Sequence, residues 1–239
     1  MSERRDITRT RARAPVAGAW AAVVLGTTLV TLLGVGVRYD FAPQMAADAA
    51  VSEALYAGDD RARSLDWLLE ALTAPGLSAF RLLLAVPIVV WLVRRDRTRL
   101  AAWVMAAVLL VGPLTSLLKD FFGRVRPDFD EGGARYETLS YPSGHSSGVA
   151  TLVVVGLVLA WPLLSAAARR VWLAVGVALV VLVGLTRMWL GVHYLSDVVG
   201  GWSLGVSWTL LTALLLGALP GGPAALRPPA PGTGTEPPS

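Results

Sequence analysis

Six apolar runs, each close to the roughly 20 residues that a helix needs to cross a bilayer, constrain this chain more than any other feature. Backbone polar groups inside hydrocarbon have to be satisfied within the segment, and runs of this length do so as helices. The sequence therefore predicts an all-α, polytopic membrane protein with six transmembrane helices. The fifth run is the shortest, and the second contains Arg81, a residue that is costly in hydrocarbon. The runs are 16–37, 77–93, 100–118, 147–165, 171–186 and 198–219.

Composition excludes the other broad classes of protein. Charged residues make up 16% of the chain and hydrophobic residues 54%, whereas soluble domains average about 25% charged. The formal net charge of +4 does not indicate a nucleic-acid partner, because the positive residues are divided among separate loops. The chain has no cysteine, so it has neither a disulfide nor a thiolate metal site.

Loop charges predict the orientation of the helices. Arginine is concentrated in the N-terminal tail, at 94–99 and at 169–170, whereas acidic residues are concentrated in the loops 38–76 and 119–146. Short cytoplasmic loops are enriched in lysine and arginine. We therefore expect a multi-pass plasma-membrane protein with both termini in the cytoplasm. The loops 38–76, 119–146 and 187–197 are expected outside.

The remaining segments complete the predicted domain organisation. A basic cytoplasmic tail, 1–15, precedes one membrane domain, 16–219, and a tail rich in Pro and Gly, 220–239, is predicted to be disordered in the cytoplasm. Apolar residues at helical spacing in 60–72 predict an interfacial helix between the first two spans, although a plain connector with a short helix fits the same pattern. The first run exceeds the core of a usual signal peptide, so we interpret it as an uncleaved anchor. Cleavage would leave the other spans as predicted.

The rarest side chains fall in the loops predicted to lie outside. The chain has one lysine and two histidines. Lys119 ends the third run, His145 precedes the fourth and His193 precedes the sixth. All three therefore lie on one predicted face of the membrane, which indicates a single site.

Three cations and a helix start in these loops predict a phosphate-binding site. Lys119, Arg126 and Arg187 lie at the membrane edge, and guanidinium groups suit an anion with several oxygens. Ser143 and Gly144 precede the fourth run, where free backbone N–H groups and the helix dipole favour an anion. Glycine there also lets the backbone approach a ligand closely.

Two histidines and one carboxylate supply a set for phosphoryl transfer. His193 and Asp197 are four residues apart, so a helical continuation would place both on one face, where the carboxylate fixes the imidazole tautomer. The second ring nitrogen of His193 is then free to attack phosphorus. His145, from a separate loop, is able to protonate the departing oxygen.

Each of these residues also has an ordinary structural interpretation. Basic residues at span ends commonly extend to the lipid headgroups, and Pro-Ser-Gly before a helix is often only a capped turn. Arg124 and Arg135 keep the headgroup interpretation, because nothing in their spacing favours another. The functional interpretation is favoured for the others because the single lysine and both histidines fall in three short motifs on one side.

These motifs, K-x6-R-P, then P-S-G-H, then R-x5-H-x3-D, resemble the signature of the type 2 phosphatidic acid phosphatase (PAP2) superfamily. The resemblance extends over roughly 60–215, with the motifs in the order and at the places that the family has. Thr186 stands where the third motif usually has serine, and Tyr141 stands where phenylalanine is common. Threonine keeps the hydroxyl group, so we expect little loss from this departure.

The resemblance implies a role for each site residue. His193 forms a phosphohistidine, Asp197 orients it, and His145 acts first as the acid and then as the base for water. The family works without a metal or another cofactor, and with both histidines used in catalysis no metal site is predicted. The implied phosphate-binding residues are Lys119, Arg126, Ser143, Gly144 and Arg187.

The implied activity is hydrolysis of a lipid phosphate or diphosphate by an integral membrane phosphatase whose site faces outward. Undecaprenyl diphosphate, phosphatidylglycerol phosphate and phosphatidic acid all stay open as substrates, because the motifs recognise phosphate and not the lipid tail. A phosphotransferase of the same superfamily and a non-catalytic transporter or scaffold are the alternatives, and the intact histidines count against the second. The expected partners are the lipid phosphate and the bilayer, and the sequence predicts no oligomeric state.

Overall fold

The computed structural model of the protein describes residues 2–133 and 136–226, and in that part the chain is helical without strands. The predicted all-α class is thereby confirmed. Short 3-10 turns, Ala74–Gly76 and Trp161–Leu163, follow the third and sixth helices. The α-helices of the described part are α1 (Ser2–Arg38), α2 (Ala42–Leu55), α3 (Arg63–Thr73), α4 (Ser78–Arg94), α5 (Thr98–Phe122), α6 (Gly144–Ala160), α7 (Ala166–Trp189) and α8 (Leu195–Leu216).

Five helices of the described residues are long and apolar enough to cross a membrane. Many of their large apolar side chains are exposed, as expected for surfaces that contact lipid. The fifth predicted run, 171–186, is part of a helix of 24 residues and is therefore long enough to span. A multi-pass helical membrane protein is confirmed. The five segments are Val16–Arg38, Thr98–Phe122, Gly144–Leu163, Ala166–Trp189 and Leu195–Leu216.

The second predicted span differs from the other five. α4 has 17 residues, and it reaches the length of a span only together with α3, from which it is bent by 43°. Arg81 lies in the first turn of α4 and holds the bend: its Nη1 donates to the carbonyl oxygen of Gly76 (2.8 Å) and its Nη2 to the hydroxyl of Ser78 (3.0 Å). The count of six spans therefore stays a prediction.

Two helices, rather than the single one expected, lie between α1 and α4. α3 agrees in position with the predicted interfacial helix, and it exposes Trp67 and Leu68 while burying Leu69. Its location at a membrane interface stays a prediction. α2 was not predicted, because its many alanines produce no apolar periodicity, and the side chains that it buries are the polar Asp48 and Ser52.

α8 lies at the centre of the bundle, where it packs against α1, α5 and α6. Gly201 and Gly205 permit a close approach to α6, since a Cβ at these positions would lie 2.5 Å from the carbonyl oxygen of Ser143 and 2.3 Å from that of Ser147. Small residues allow such contacts between membrane helices. The first turns of α6 and α8 are thereby brought together at one end of the bundle.

The ends of the chain differ in part from the predicted tails. α1 begins at Ser2, so the basic segment continues the first helix. After α8, Ala224 is buried, and its N–H donates to the carbonyl oxygen of Gly217 (3.0 Å). The short segment 220–226 therefore packs against the end of α8 through the small side chains of Ala224 and Ala225. The rest of the predicted tail, 227–239, lies outside the described residues.

Candidate active site

His193, in the turn between α7 and α8, and Asp197, in the first turn of α8, form a buried pair. Their exposed fractions are 2% and 0%, and Nδ1 of the histidine is 3.3 Å from Oδ2 of the aspartate. The predicted helical continuation is wrong, because α8 begins at Leu195 and His193 lies in the turn before it. The contact forms because Asp197 caps α8, accepting the backbone N–H of Tyr194 at 2.9 Å.

Asp197 is held from several directions. Its Oδ2 also accepts the hydroxyl of Ser140, and its Oδ1 accepts Nη1 of Arg124 at 2.9 Å. A carboxylate that accepts this many hydrogen bonds keeps one orientation. It is therefore suited to accept the Nδ1–H of His193, which leaves Nε2 as the unprotonated ring nitrogen.

Arg124 is a site residue that the sequence interpretation missed. Its side chain does not extend to the headgroups, because Arg124 is only 9% exposed. The guanidinium forms salt bridges with Asp197 at 2.9 Å and with Asp48 of α2 at 2.7 Å. Asp48 in turn accepts the backbone N–H (2.8 Å) and the hydroxyl (2.6 Å) of Ser196. Burial acts to lower the pKa of Arg124, but the two carboxylates prevail and raise it. Arg135, which was interpreted in the same way, lies outside the described residues.

His193 is a neutral imidazole in this environment. Burial lowers its pKa to about 3, although the hydrogen bond with Asp197 acts in the opposite direction. Nε2 lies 3.2 Å from Nη1 of Arg126, so the basic nitrogen faces a cation. A neutral imidazole with its other nitrogen engaged is the form that a nucleophile or a general base requires.

Arg126 is fixed by its own loop and by the turn before α8. Its guanidinium donates to the carbonyl oxygen of Thr138 (2.8 Å), to the hydroxyl of Thr138 (2.9 Å) and to the carbonyl oxygen of Val192 (2.7 Å). Burial and the nearby charge of Arg187 lower the pKa of Arg126. An anion between these two arginines would relieve their repulsion.

Arg187 and Lys119 complete the basic group. Arg187, in the last turn of α7, is 2% exposed and donates to the hydroxyl of Thr73 at 3.4 Å. Its Nε is buried without a partner among the described residues. Lys119, in the last turn of α5, donates to the carbonyl oxygen of Leu139. The structure therefore brings the three predicted phosphate-binding cations to one end of the bundle.

The predicted helix start adjoins these cations. α6 begins at Gly144, and its N-cap residue Ser143 accepts the N–H of Ser146 at 3.4 Å. The N–H of Ser143 donates to the carbonyl oxygen of Asp197 (2.9 Å), which joins the start of α6 to the histidine–aspartate pair. Backbone N–H groups and the dipole in this first turn favour an anion.

His145 borders a cavity of about 250 Å³ at this end of the bundle. Lys119 and Gly144 also line the cavity, and so does Arg81 from the start of α4. The positive charge of Arg126 acts on both His145 and His193, so the two histidines share one electrostatic environment. The sequence drew attention to Arg81 only as an obstacle to a span.

No group of three or more His, Asp or Glu side chains in residues 2–133 and 136–226 is arranged to hold a metal ion. The positive charge of the site comes from arginine, lysine and a helix N-terminus. These groups are able to bind a phosphate by hydrogen bonds alone.

The fold and the site define a class: a multi-pass helical membrane protein whose polar end gathers basic side chains and a helix N-terminus beside a buried histidine. The chain belongs to the PAP2 superfamily, whose family model matches residues 97–219. All of the predicted catalytic and phosphate-binding residues lie within that segment. The resemblance that the motifs indicate is thereby confirmed.

Two relatives are lipid phosphatases. The chain is 42% identical over 96 residues to phosphatidylglycerophosphatase B of Bacillus subtilis (strain 168), covering 39% of this chain and 46% of that protein. It is 35% identical over 127 residues to lipid A 1-phosphatase of Rhizobium etli, covering 48% of this chain and 50% of that protein. The chain thus spans about half the length of the curated relatives it matches.

A solved structure is also similar. The crystal structure of a transmembrane PAP2 type phosphatidylglycerolphosphate phosphatase from Bacillus subtilis has a TM-score of 0.66 and 29% identity, over 80% of this chain and 93% of that chain. Because 80% of the chain is covered, the similarity of fold extends beyond the segment 97–219.

Proposed function

We propose that this protein is an integral membrane phosphatase that hydrolyses a lipid phosphate or diphosphate through a phosphohistidine intermediate. The observation that carries the proposal is the geometry of His193, whose Nδ1 contacts Asp197 and whose Nε2 faces Arg126 in a buried site. A tautomer fixed by the carboxylate leaves Nε2 as the basic nitrogen for attack on phosphorus, and Arg126 beside it is placed to bind a phosphoryl oxygen. Membership of the PAP2 superfamily and the names of two relatives support the same class of reaction.

The reaction has two steps that balance in bonds and protons. In the first, Nε2 of His193 attacks phosphorus, an N–P bond forms, and the bond between phosphorus and the lipid oxygen breaks as His145 gives that oxygen its proton. In the second, water attacks phosphorus, His145 takes a proton from the water, and the N–P bond breaks to release phosphate. Microscopic reversibility assigns both proton transfers to the same histidine.

Charge on the phosphoryl oxygens is stabilised by fixed donors. Lys119, Arg126 and Arg187 supply positive charge, and Ser143 and Gly144 supply the N-terminal turn of α6. Donors that are already positioned stabilise charge as it develops without reorganising. The proposed mechanism therefore has no step that uses a metal.

Chelator and vanadate test the metal-free mechanism. Chelator should leave phosphate release intact, whereas vanadate, which mimics the trigonal-bipyramidal transition state, should inhibit. Loss of activity in chelator that magnesium restores would contradict this part of the proposal.

The lipid tail has a groove of suitable character. An apolar groove of about 370 Å³ lies between α4, α6 and α7, and it includes Leu84, Leu152 and Gly156. α4 and α6 also line the cavity at His145, so one pair of helices carries both a polar and an apolar compartment. We expect the phosphate head in the first and the tail in the second. Phosphatidylglycerol phosphate, phosphatidic acid and undecaprenyl diphosphate are the substrates to assay.

Rapid-quench trapping of labelled phosphoprotein tests the two histidines. His193→Ala should form no acid-labile phosphoenzyme with any substrate. His145→Ala should be slow with a lipid alkoxide leaving group but keep the first step with p-nitrophenyl phosphate, whose leaving group departs with less protonation. If His193→Ala still forms phosphohistidine, His145 is the nucleophile and the roles of the two histidines are reversed. A wild type that never forms phosphohistidine would favour direct attack by water.

Impermeant thiol labelling tests the outward orientation of the site. The chain has no cysteine, so single cysteines at Arg97 and Asp130, both exposed, are unambiguous probes. In intact cells only the cysteine at position 130 should react, because loops with excess arginine stay in the cytoplasm. Equal labelling at both positions would contradict the proposed topology.

A further inference from the structure

Arg81 is a buried cation that the proposed reaction does not use. It is 3% exposed and lines the same cavity as His145 and Lys119. Its two hydrogen-bond acceptors, the carbonyl oxygen of Gly76 and the hydroxyl of Ser78, are both neutral. Its Nε is buried and has no partner among the described residues.

No carboxylate of the described residues forms a salt bridge with Arg81. A buried guanidinium without a counterion is unfavourable unless an anion is supplied. In the described part of the chain only one other arginine has a buried Nε without a partner, and that is Arg187, which the family resemblance assigns to phosphate binding. The two arginines therefore share the features of an anion-binding residue.

The position of Arg81 indicates which part of a substrate it meets. In the proposed reaction His145 protonates the departing oxygen, so groups near His145 contact the leaving part of the lipid. Gly148, one turn after His145 on α6, makes room for the guanidinium of Arg81, because a Cβ at this position would lie 1.9 Å from its Nη1. Gly76 joins the two residues, since its carbonyl oxygen accepts from Arg81 and a Cβ on it would lie 2.8 Å from Cβ of His145.

We propose that Arg81 is a specificity-determining residue that binds a second phosphate on the leaving part of the substrate. This inference rests on the proposed phosphatase function. The second phosphate is the phosphodiester of phosphatidylglycerol phosphate or the phosphate that a polyprenyl diphosphate retains. Phosphatidic acid has no such group, because its leaving part is a neutral diacylglycerol. Arg81 therefore favours the first two substrates over the third.

The test measures kcat/KM for the three substrates in mixed micelles, with matched acyl chains for the two glycerolipids, using the full chain purified in detergent. Arg81→Gln should lower the ratio of phosphatidylglycerol phosphate to phosphatidic acid about 10- to 100-fold, which is the worth of one hydrogen-bonded charge pair. The ratio of diphosphate to phosphatidic acid should fall similarly, and Arg81→Lys should lower both ratios less. Arg94→Gln, an exposed arginine at the other end of α4, is the matched control and should leave the ratios unchanged.

Each ratio is taken within one preparation, so the fraction of folded enzyme cancels. If Arg81 only supports the bend between α3 and α4, Arg81→Gln will lower all three rates by one factor, and unchanged ratios overturn the inference while the phosphatase function stands. A wild type that releases no phosphate from any of the three overturns the function and the inference together.

Product inhibition of the wild type adds a test that needs no variant. Phosphatidylglycerol retains the phosphodiester, so it should inhibit phosphatidic acid hydrolysis about tenfold more strongly than diacylglycerol with the same chains. Equal inhibition by the two products would overturn the inference.

Discussion

The two histidines of the site differ in how fully other side chains enclose them. His193 is enclosed by hydrogen-bonded side chains and is 2% exposed, and its partner Asp197 is held by Arg124 and Ser140. His145 is less fully enclosed and borders a cavity of about 250 Å³. A nucleophile needs one tautomer and one orientation, which a closed network enforces. A residue that protonates the departing oxygen needs space for the part of the substrate that varies.

The largest loss of activity should come from the enclosed pair of His193 and Asp197. Asp197→Asn keeps the size of the side chain but leaves the His193 imidazole free to adopt the wrong tautomer, so we expect kcat to fall about 10³- to 10⁴-fold. The rate of phosphoenzyme formation, monitored by rapid quench, measures the first step of the proposed reaction. A variant that retains more than a tenth of the wild-type rate would show that the pair does not set the tautomer.

Arg124→Gln should have the next largest effect. Removing the guanidinium leaves the buried carboxylates Asp48 and Asp197 without their shared partner, so we expect Asp197 to move and kcat to fall about 10- to 100-fold with little change in KM. Steady-state kinetics on one lipid phosphate give both constants. Arg169→Gln is the matched control, because Arg169 is partly buried and, within the described part of the chain, the hydrogen bond and the ring contact of its side chain are both with Trp161. Similar losses in both variants would mean that Arg124 acts through general stability and not through Asp197.

The apolar groove, where we expect the lipid tail, is tested by filling it with a larger side chain. Gly156 has nothing within 4 Å of an added Cβ, so the Cβ of Gly156→Leu meets no obstacle, and the rest of the side chain should reduce the space for a lipid tail. We expect kcat/KM to fall about tenfold for a long-chain lipid phosphate and to stay unchanged for p-nitrophenyl phosphate. Gly18→Leu on α1, which is equally unobstructed, is the control. Equal losses with both substrates would contradict the assignment of the groove to the tail.

The smallest expected change is in the protonation of His193, which should not titrate in the neutral pH range. Because burial lowers the pKa of His193 to about 3, from an ordinary value of about 6.5, the ring should stay neutral from about pH 8 to pH 5. In the unfolded chain the His193 imidazole takes up a proton near pH 6.5, whereas in the folded protein it does so only near pH 3. The contribution of this histidine to the free energy of unfolding is therefore present above pH 6.5 and is lost as the pH falls toward 3. Imidazole ¹⁵N NMR resolves the question, since the chain has two histidines. A midpoint near 6.5 at His193 would show that its site is not closed to water.

Residues that carry the proposed chemistry were predictable because they are rare and lie in short motifs. Lys119 is the single lysine, and His145 and His193 are the two histidines, so their common location was visible without a structure. The all-helical class followed equally directly from the apolar runs. By contrast, Arg124 was misinterpreted because its partner Asp48 is 76 positions away.

The local geometry shows the same limit. Spacing alone suggested that His193 and Asp197 share a helix face, whereas the pair forms across the N-terminus of α8 by capping. Spacing of four residues is compatible with both arrangements. The bend before α4, which leaves the number of spans open, depends likewise on hydrogen bonds that a hydropathy pattern does not contain.

The sequence by itself determined which segments are apolar enough for a membrane and which motifs contain the residues that we propose for phosphate binding and catalysis, because segment length and residue type are local properties of the chain. Only the tertiary structure decided that Arg124 and Asp48 hold Asp197 and that Arg81 borders the cavity at His145. These contacts join segments far apart in the chain, and they exist because the helices pack closely enough, as at Gly205 between α6 and α8, to bring distant charges into one buried site.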